Sequence, residues 1–361
     1  MMMNDELTFL RDYVAVYSPT GEEGPAAELL VGQFEQWGWR ARIDEVGNAV
    51  AEVGDGPTVL CFLGHIDTVR GEIPVRVEDG VLYGRGSVDA KGPLAAFACA
   101  LRRCEGELEN LTVRLIGAVE EESRSSLGAR FAVEKYGAPD LLVIGEPSGA
   151  SAITLGYKGV FHFAYRLRQS CRHGAAAESL PATKAVDFWH AMFREFPHDP
   201  DRPSSPFHNL TGNVRSMQTG GDDEWETVEL VGDVRVPPRL DPGRLREWAE
   251  RRALEDGAEL ECHELLPAVR CARGTLLANV FGRAIRDAGE KLTVKVKTGT
   301  TDMNIAVPAW QCPALAYGPG DSHLDHTPDE RLELDEFRQS VDIIERALRA
   351  LDAKLQPRHG G

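Results

Sequence analysis

The sequence predicts an α/β fold interrupted by a smaller α+β domain. Short apolar runs of strand length alternate with helical stretches up to about residue 155, and the same style returns near residue 273. Between these regions the order changes to strand, helix, strand, strand, helix. At 361 residues, the chain is also too long for one ordinary core. The expected division is a discontinuous domain, 1–155 and 273–361, that holds an inserted domain, 156–272.

The elements follow in order. Pro57 to Leu63 (PTVLCFL) reads as a buried strand that stops at Gly64-His65. Lys91 to Arg103 (KGPLAAFACALRR) has helical length and composition. Leu111 to Val119 is a second strand, ending at Glu120-Glu121-Glu122, and Leu141 to Gly145 is a third, ending at Glu146. In the insertion, Gly159 to Leu167 alternates as a strand and Pro181 to Phe196 reads as a helix. A polar loop, His198 to Asn209, leads to strands near Val214–Gln218 and Val228–Val236, and Gly243 to Asp256 reads as a helix. The last region offers a helix near Leu276–Ala288, a strand near Pro313–Tyr317 and an amphipathic helix near Leu334–Leu351.

Composition narrows the function. Hydrophobic residues make up 42% and charged residues 27%, which is globular usage. No apolar run is long enough to span a membrane, and the start, MMMNDELTFLRDY, lacks the layout of a signal peptide. Forty Lys+Arg against 57 Asp+Glu leave a net charge of −17, so nucleic acid is not an expected partner. The seven cysteines form no CxxC and most sit beside apolar residues, which suggests the reducing cytoplasm. Any metal must then be held by His and carboxylate side chains.

Three apolar strand runs end on such side chains: His65 and Asp67, then Glu121 and Glu122, then Glu146. Ligands of open α/β sheets bind beyond the carboxyl ends of the strands, so these residues are expected to converge. Taken singly, each is an ordinary polar turn. In His65-Ile66-Asp67 the i, i+2 spacing on extended chain points both side chains one way, so Asp67 can fix the imidazole tautomer. In GRGSVDAKG (84–92), Asp89 stands where a phosphate loop would need its third Gly, and it suits a cation better. Several carboxylates gathered at one edge raise one another's pKa, and bound divalent cations relieve that repulsion. GPGDSHLDHTPDE (318–330) adds His323 and His326, either of which can complete a metal site. The turn 297–302 (KTGTTD), with Thr300, can line a substrate pocket or simply turn. Ligation by N and O without thiolate suits Zn²⁺, Co²⁺ or Mn²⁺.

GHIDT (64–68), GRGSVDAKG (84–92), EEES (120–123), GEP (145–147) and GPGDSHLDHTPDE (318–330) resemble, in order and spacing, the motifs of the M20 di-zinc peptidase/deacylase family. That resemblance implies a three-layer catalytic domain of zinc-aminopeptidase type with an inserted ferredoxin-like lid and dimerisation domain, hence a homodimer. It implies two Zn²⁺ per chain, with Co²⁺ as a substitute. One ion would take His65, Asp89 and Glu146, and the other Asp89, Glu122 and His326, with Asp89 bridging. Asp67 would orient His65, Glu121 would act as general base, and Glu120 would be the leading acid of the triplet. His173 would be the lid histidine and Arg235 the group that grips a substrate carboxylate. Here the pattern departs from the family: SCRHGA replaces the usual Gly-x-x-Ala-His-Ser, the Asn-x-x-Pro before the Arg strand is missing, and EEES lacks its following Gly.

Within the family, GEIPVRVEDGVLYGRGSVDAKGPLAAF and ITLGYKG resemble the carrier-protein-lysine hydrolases. These release lysine or ornithine from the C-terminal glutamate of a small acidic amino-group carrier protein in lysine and arginine biosynthesis. Arg166, Arg168, Arg172, Lys184 and Arg202 can form a basic patch for such a carrier, or be ordinary solubilising charges. The alternatives are a small-molecule deacylase of acetylornithine deacetylase or succinyl-diaminopimelate desuccinylase type, and a non-catalytic zinc-binding protein on the same fold.

Overall fold

The computed structural model describes residues 3–171 and 179–355. The chain forms two compact units. The first contains Met1–Gly156, Cys271–Lys295 and Thr301–Gly361, and the second contains Tyr157–Arg270 with Val296–Thr300. The short stretch Val296–Thr300, which the sequence places with the catalytic domain, groups with the insertion instead: Lys158 N–H donates to the Lys297 carbonyl.

The large sheet of the first unit runs in the order Arg40–Ile43, Ala49–Val53, Leu111–Ala118, Thr58–His65, Leu141–Gly145, Ala314–Ala316 and Ala152–Tyr157. Its centre is parallel: Thr58–His65 pairs in parallel with Leu111–Ala118 and with Leu141–Gly145, and Ala314–Ala316 pairs in parallel with Leu141–Gly145. Central parallel strands are buried on both faces and therefore read as unbroken apolar runs, which is what these segments show. One face carries Leu60, Phe62, Val113, Leu115, Leu141 and Val143, the other Cys61, Leu63, Ile116, Leu142 and Ile144, all buried. Helix Lys91–Arg103 packs on the first face, with Phe97 stacked 4.1 Å from Phe62. Leu94, Phe97 and Leu101 are fully buried, each contributing about 1.5–3 kcal/mol.

Register brings the functional ends level. His65 pairs with Ala118, and Gly64 pairs with both Gly117 and Gly145. Two of these positions have no room for a side chain. A Cβ at Gly145 would lie 2.4 Å from the Phe62 ring, and one at Gly117 would lie 2.6 Å from Ile66.

The second unit is a four-stranded antiparallel sheet in the order Thr211–Gly221, Trp225–Val236, Gly159–Ser170 and Glu259–Leu266. With helices Pro181–Glu195 and Pro242–Asp256, the chain order is strand, helix, strand, strand, helix, strand, the ferredoxin-like arrangement. Alternate residues Phe161, Phe163, Tyr165 and Leu167 join Phe188, Met192 and Trp248 in its core. The strand Glu259–Leu266 is missing from the sequence reading, which ends the insertion on a helix. It is an edge strand on which acids alternate with apolar residues, and its apolar signal is weak.

Candidate metal centre

Seven acidic or imidazole side chains of the first unit meet at the carboxyl end of its sheet. His65 is the last residue of its strand, Glu121 and Glu122 follow the neighbouring strand by three and four residues, and Glu146 follows the third directly. Asp67 lies beyond His65, Asp89 lies just before helix Lys91–Arg103, and His326 comes from the loop after Ala314–Ala316. The Asp89–Ala90 peptide is cis, and His326 has φ +61°, the left-handed region that non-glycine residues seldom occupy and that clusters at functional sites.

Asp89 is shared. Its Oδ1 lies 3.2 Å from Nε2 of His65, and its Oδ2 lies 3.0 Å from Nε2 of His326. Glu146 approaches the same His65 nitrogen at 3.9 Å, and Glu122 lies 2.9 Å from Nε2 of His326. The ligand atoms of His65, Asp89 and Glu146 lie within 4.8 Å of one another, as do those of Asp89, Glu122 and His326. A third such group joins His65, Glu121 and Glu122. The donors are all nitrogen or carboxylate oxygen, and the two main sets have Asp89 in common, so the residues fit a pair of divalent cations.

Asp67 organises the site without belonging to either set. Its Oδ1 lies 3.3 Å from Nδ1 of His65, whose ring also contacts the Asp67 carbonyl at 2.9 Å. Asp67 further accepts the Glu121 and Glu122 backbone N–H groups, both at 3.0 Å, and the Thr20 hydroxyl at 2.8 Å. One buried carboxylate therefore sets the ring of His65 and the backbone of the two glutamates. Burial works against its charge, yet these partners hold its pKa below the ordinary value.

Electrostatics separates the acids. Burial, reinforced by Asp302, Glu146 and Glu122, drives the Glu121 carboxyl well upward, and burial also raises Glu122. Burial is the largest influence on Asp89 too, but the two histidines overcome it and hold its pKa down. His326 is pushed up to about 10 by Asp89 and Glu122. Asp302, 3% exposed, is pushed up to about 7 by burial, and its Oδ1 has no hydrogen-bond partner among the described residues. Such a concentration of acid lacking matched cations suits bound metal.

His323 is exposed and paired with Asp321 at 2.7 Å, away from the donor sets, so of the two candidate histidines only His326 reaches them. Glu120 is also apart: it accepts from the Ser125 hydroxyl. In the inserted unit, the Arg235 guanidinium donates to the Thr300 hydroxyl and lies 3.2 Å from Asp233. Lys158 of GYKG is buried and donates to the carbonyls of Pro206 (2.9 Å) and Asn209 (2.6 Å) and to Thr211, which pins the polar loop. The basic side chains of the insertion are engaged locally: Arg166 with Glu229 and Glu261, Arg168 over the Trp225 ring, Lys184 with Gln169 and Arg202 with His208. Arg172 and His173 lie outside the described residues. Sequence reasoning gave no role to Thr20 or Asp302; the latter stands in the turn 297–302, read as lining a substrate pocket or simply turning, and its burial depends on tertiary packing.

Comparison with known proteins identifies the family. LysW-lysine hydrolase of Deinococcus radiodurans is 41% identical over 354 residues, covering 95% of this chain and 96% of that one. A putative LysW-lysine/LysW-ornithine hydrolase of Pyrococcus abyssi is 37% identical, covering 97% and 95%. Among solved structures, the M20 family metallo-carboxypeptidase Sso-CP2 of Sulfolobus solfataricus superposes with a TM-score of 0.79 at 18% identity, over 97% of this chain and 99% of that one. The YXEP protein of Bacillus subtilis, described as a dinuclear metal binding peptidase of the M20 family, superposes with a TM-score of 0.70 at 16% identity, over 97% and 98%. At these identities the structural matches speak for the fold. Residues 61–350 match peptidase family M20/M25/M40, and with the sequence relatives this establishes that the chain belongs to that family of hydrolases.

Proposed function

We propose that this chain is a metal-dependent amide hydrolase that releases lysine, or ornithine, from the C-terminal glutamate of a small acidic amino-group carrier protein. The observation that carries this reading is the 41% identity, across nearly the whole chain, to a LysW-lysine hydrolase. In this reading His65, Asp89 and Glu146 would hold one ion, and Asp89, Glu122 and His326 would hold the other. The ions, Zn²⁺ or Co²⁺, when bound cancel the crowded negative charge, polarise the amide carbonyl and make water a better nucleophile.

The chain's own groups handle the protons. Glu121, outside both main ligand sets, accepts a proton from the attacking water as its oxygen bonds to the amide carbon. As the C–N bond breaks, Glu121 returns that proton to the departing amine, leaving a carboxylate on the carrier and free lysine. Asp67 keeps Nε2 of His65 facing Asp89 by contacting the opposite ring nitrogen, and holds the Glu121 backbone through its N–H. Arg235, steadied by Thr300, is assigned to a substrate carboxylate, and His173 to the developing oxyanion. The same reading takes the protein as a cytoplasmic homodimer.

The test compares purified enzyme on carrier-linked lysine, carrier-linked ornithine and acetylornithine. Hydrolysis of a carrier conjugate with the higher kcat/KM supports the reading; preference for acetylornithine would make the protein a small-molecule deacylase. Absence of turnover on all three, with metal bound, would favour a binding protein.

A further inference from the structure

Glu330 lies outside every donor set, yet it is more deeply buried than most ligands, with its side chain 1% exposed. It comes four residues after His326 and directly before strand Arg331–Glu333, which pairs antiparallel with Val81–Tyr83. Its Oε2 accepts from Nη1 of Arg85 at 2.8 Å. Its Oε1 accepts two successive backbone N–H groups, Val88 at 2.9 Å and Asp89 at 3.1 Å. Arg85 is itself fixed, donating from Nε to the Gly71 carbonyl at 2.9 Å, and the Glu330 carbonyl accepts from Gly84 N–H at 3.4 Å.

A buried ion pair is a weak stabilising device, because desolvating both charges offsets most of their attraction. Well-packed apolar residues would serve the fold as well. What the pair supplies is geometry. Asp89 faces two histidines with two different oxygens, so its carboxylate has little freedom to turn without losing one of them. The Glu330 clamp acts on the Asp89 amide itself, and the same loop delivers His326.

We propose that Glu330 is a positioning residue that locks the loop carrying His326 to the turn carrying Asp89, and so sets the spacing of the two metal positions. The inference deepens the proposed function and rests on its assignment of Asp89 as the shared ligand. Glu330→Gln keeps an acceptor for the two N–H groups but loses the charge against Arg85, and Glu330→Ala loses both.

The test titrates Co²⁺ into metal-free wild-type protein and both variants, following heat and the visible Co²⁺ absorption, with circular dichroism to check folding. The wild type is expected to take up two ions. In Glu330→Ala the second ion should bind roughly 10–100-fold more weakly, the range for groups that orient a metal ligand, and Glu330→Gln should fall between. The absorption of the two-ion state should change, and kcat should fall while KM stays within about twofold. If Glu330→Ala does not fold, Glu330→Gln decides. A folded variant with wild-type second-ion affinity and kcat overturns the proposal, and so does failure of both variants to fold, which would assign Glu330 to the fold alone. Uptake of fewer than two ions by the wild type would instead overturn the proposed function, and this inference with it.

Discussion

In the inserted unit the buried acid Asp233 lies 3.1 Å from His162, 3.1 Å from Arg215 and 3.2 Å from Arg235, and Glu264 lies 2.9 Å from the other nitrogen of His162. In the catalytic unit Glu121, Glu122 and Asp302 are all pushed toward their neutral forms by burial; against this stand the imidazoles of His65 and His326 and, for Asp302, the charge of Arg130. The first cluster neutralises its buried acid with permanent arginine charge. The second leaves negative charge for something from outside the chain. Burying acids without matched cations opposes folding, so such a cluster persists where a ligand answers it.

This contrast can be broken most directly by removing metal. Exhaustive chelation should lower turnover by more than about a thousandfold, since a divalent ion supplies several kcal/mol of transition-state stabilisation, and Zn²⁺ or Co²⁺ should restore it. Turnover that survives chelation would contradict the account.

Next in size is Glu121→Ala. With metal retained, kcat should drop roughly 10²–10⁴-fold, the usual contribution of a positioned base. Near-wild-type rates at full metal content would remove Glu121 from its role. Asp67→Asn should cost roughly 10–100-fold in metal affinity, because it weakens the group that fixes the His65 ring. An unchanged metal isotherm would show that the ring is held by other means.

The smallest effect sharpens the other side of the comparison. Burial lowers the His162 pKa, but Asp233 and Glu264 outweigh it and raise it above its ordinary 6.5. Its stabilisation is therefore complete below 6.5 and fades as pH rises through the folded value. Asp233, held below its ordinary 3.8 despite burial, loses its stabilisation as pH falls through its own folded value. The cluster should contribute fully between these two ordinary values. His162→Gln should cost about 1 kcal/mol or less near pH 5 and less again at alkaline pH, read from denaturant midpoints. A cost that grows with pH would reverse the sign of the argument.

The catalytic unit was more legible in the sequence than the insertion, for a physical reason. Its central strands are buried on both faces, so each is an unbroken apolar run that stops where the chain reaches the functional edge. His65, Glu121, Glu122 and Glu146 are exposed by those stops. Glu259–Leu266, a half-exposed edge strand, offers no such run. The supporting shell was legible least of all. Thr20 reaches Asp67 across 47 residues, and Glu330 reaches Arg85 across 245, and no local spacing records such pairings. Asp302 is buried only once the chain has folded around it. His326 and His323 are three residues apart and chemically alike; the left-handed backbone at His326 and the pairing of His323 with Asp321 distinguish them in three dimensions.

The central claim is that two divalent ions share the Asp89 carboxylate. Anomalous diffraction at the zinc edge, from crystals grown with zinc, tests it most directly. The account predicts two peaks flanking Asp89, one beside His65 and Glu146 and the other beside Glu122 and His326. No peak there, or His65, Asp89 and His326 drawn apart, would contradict it.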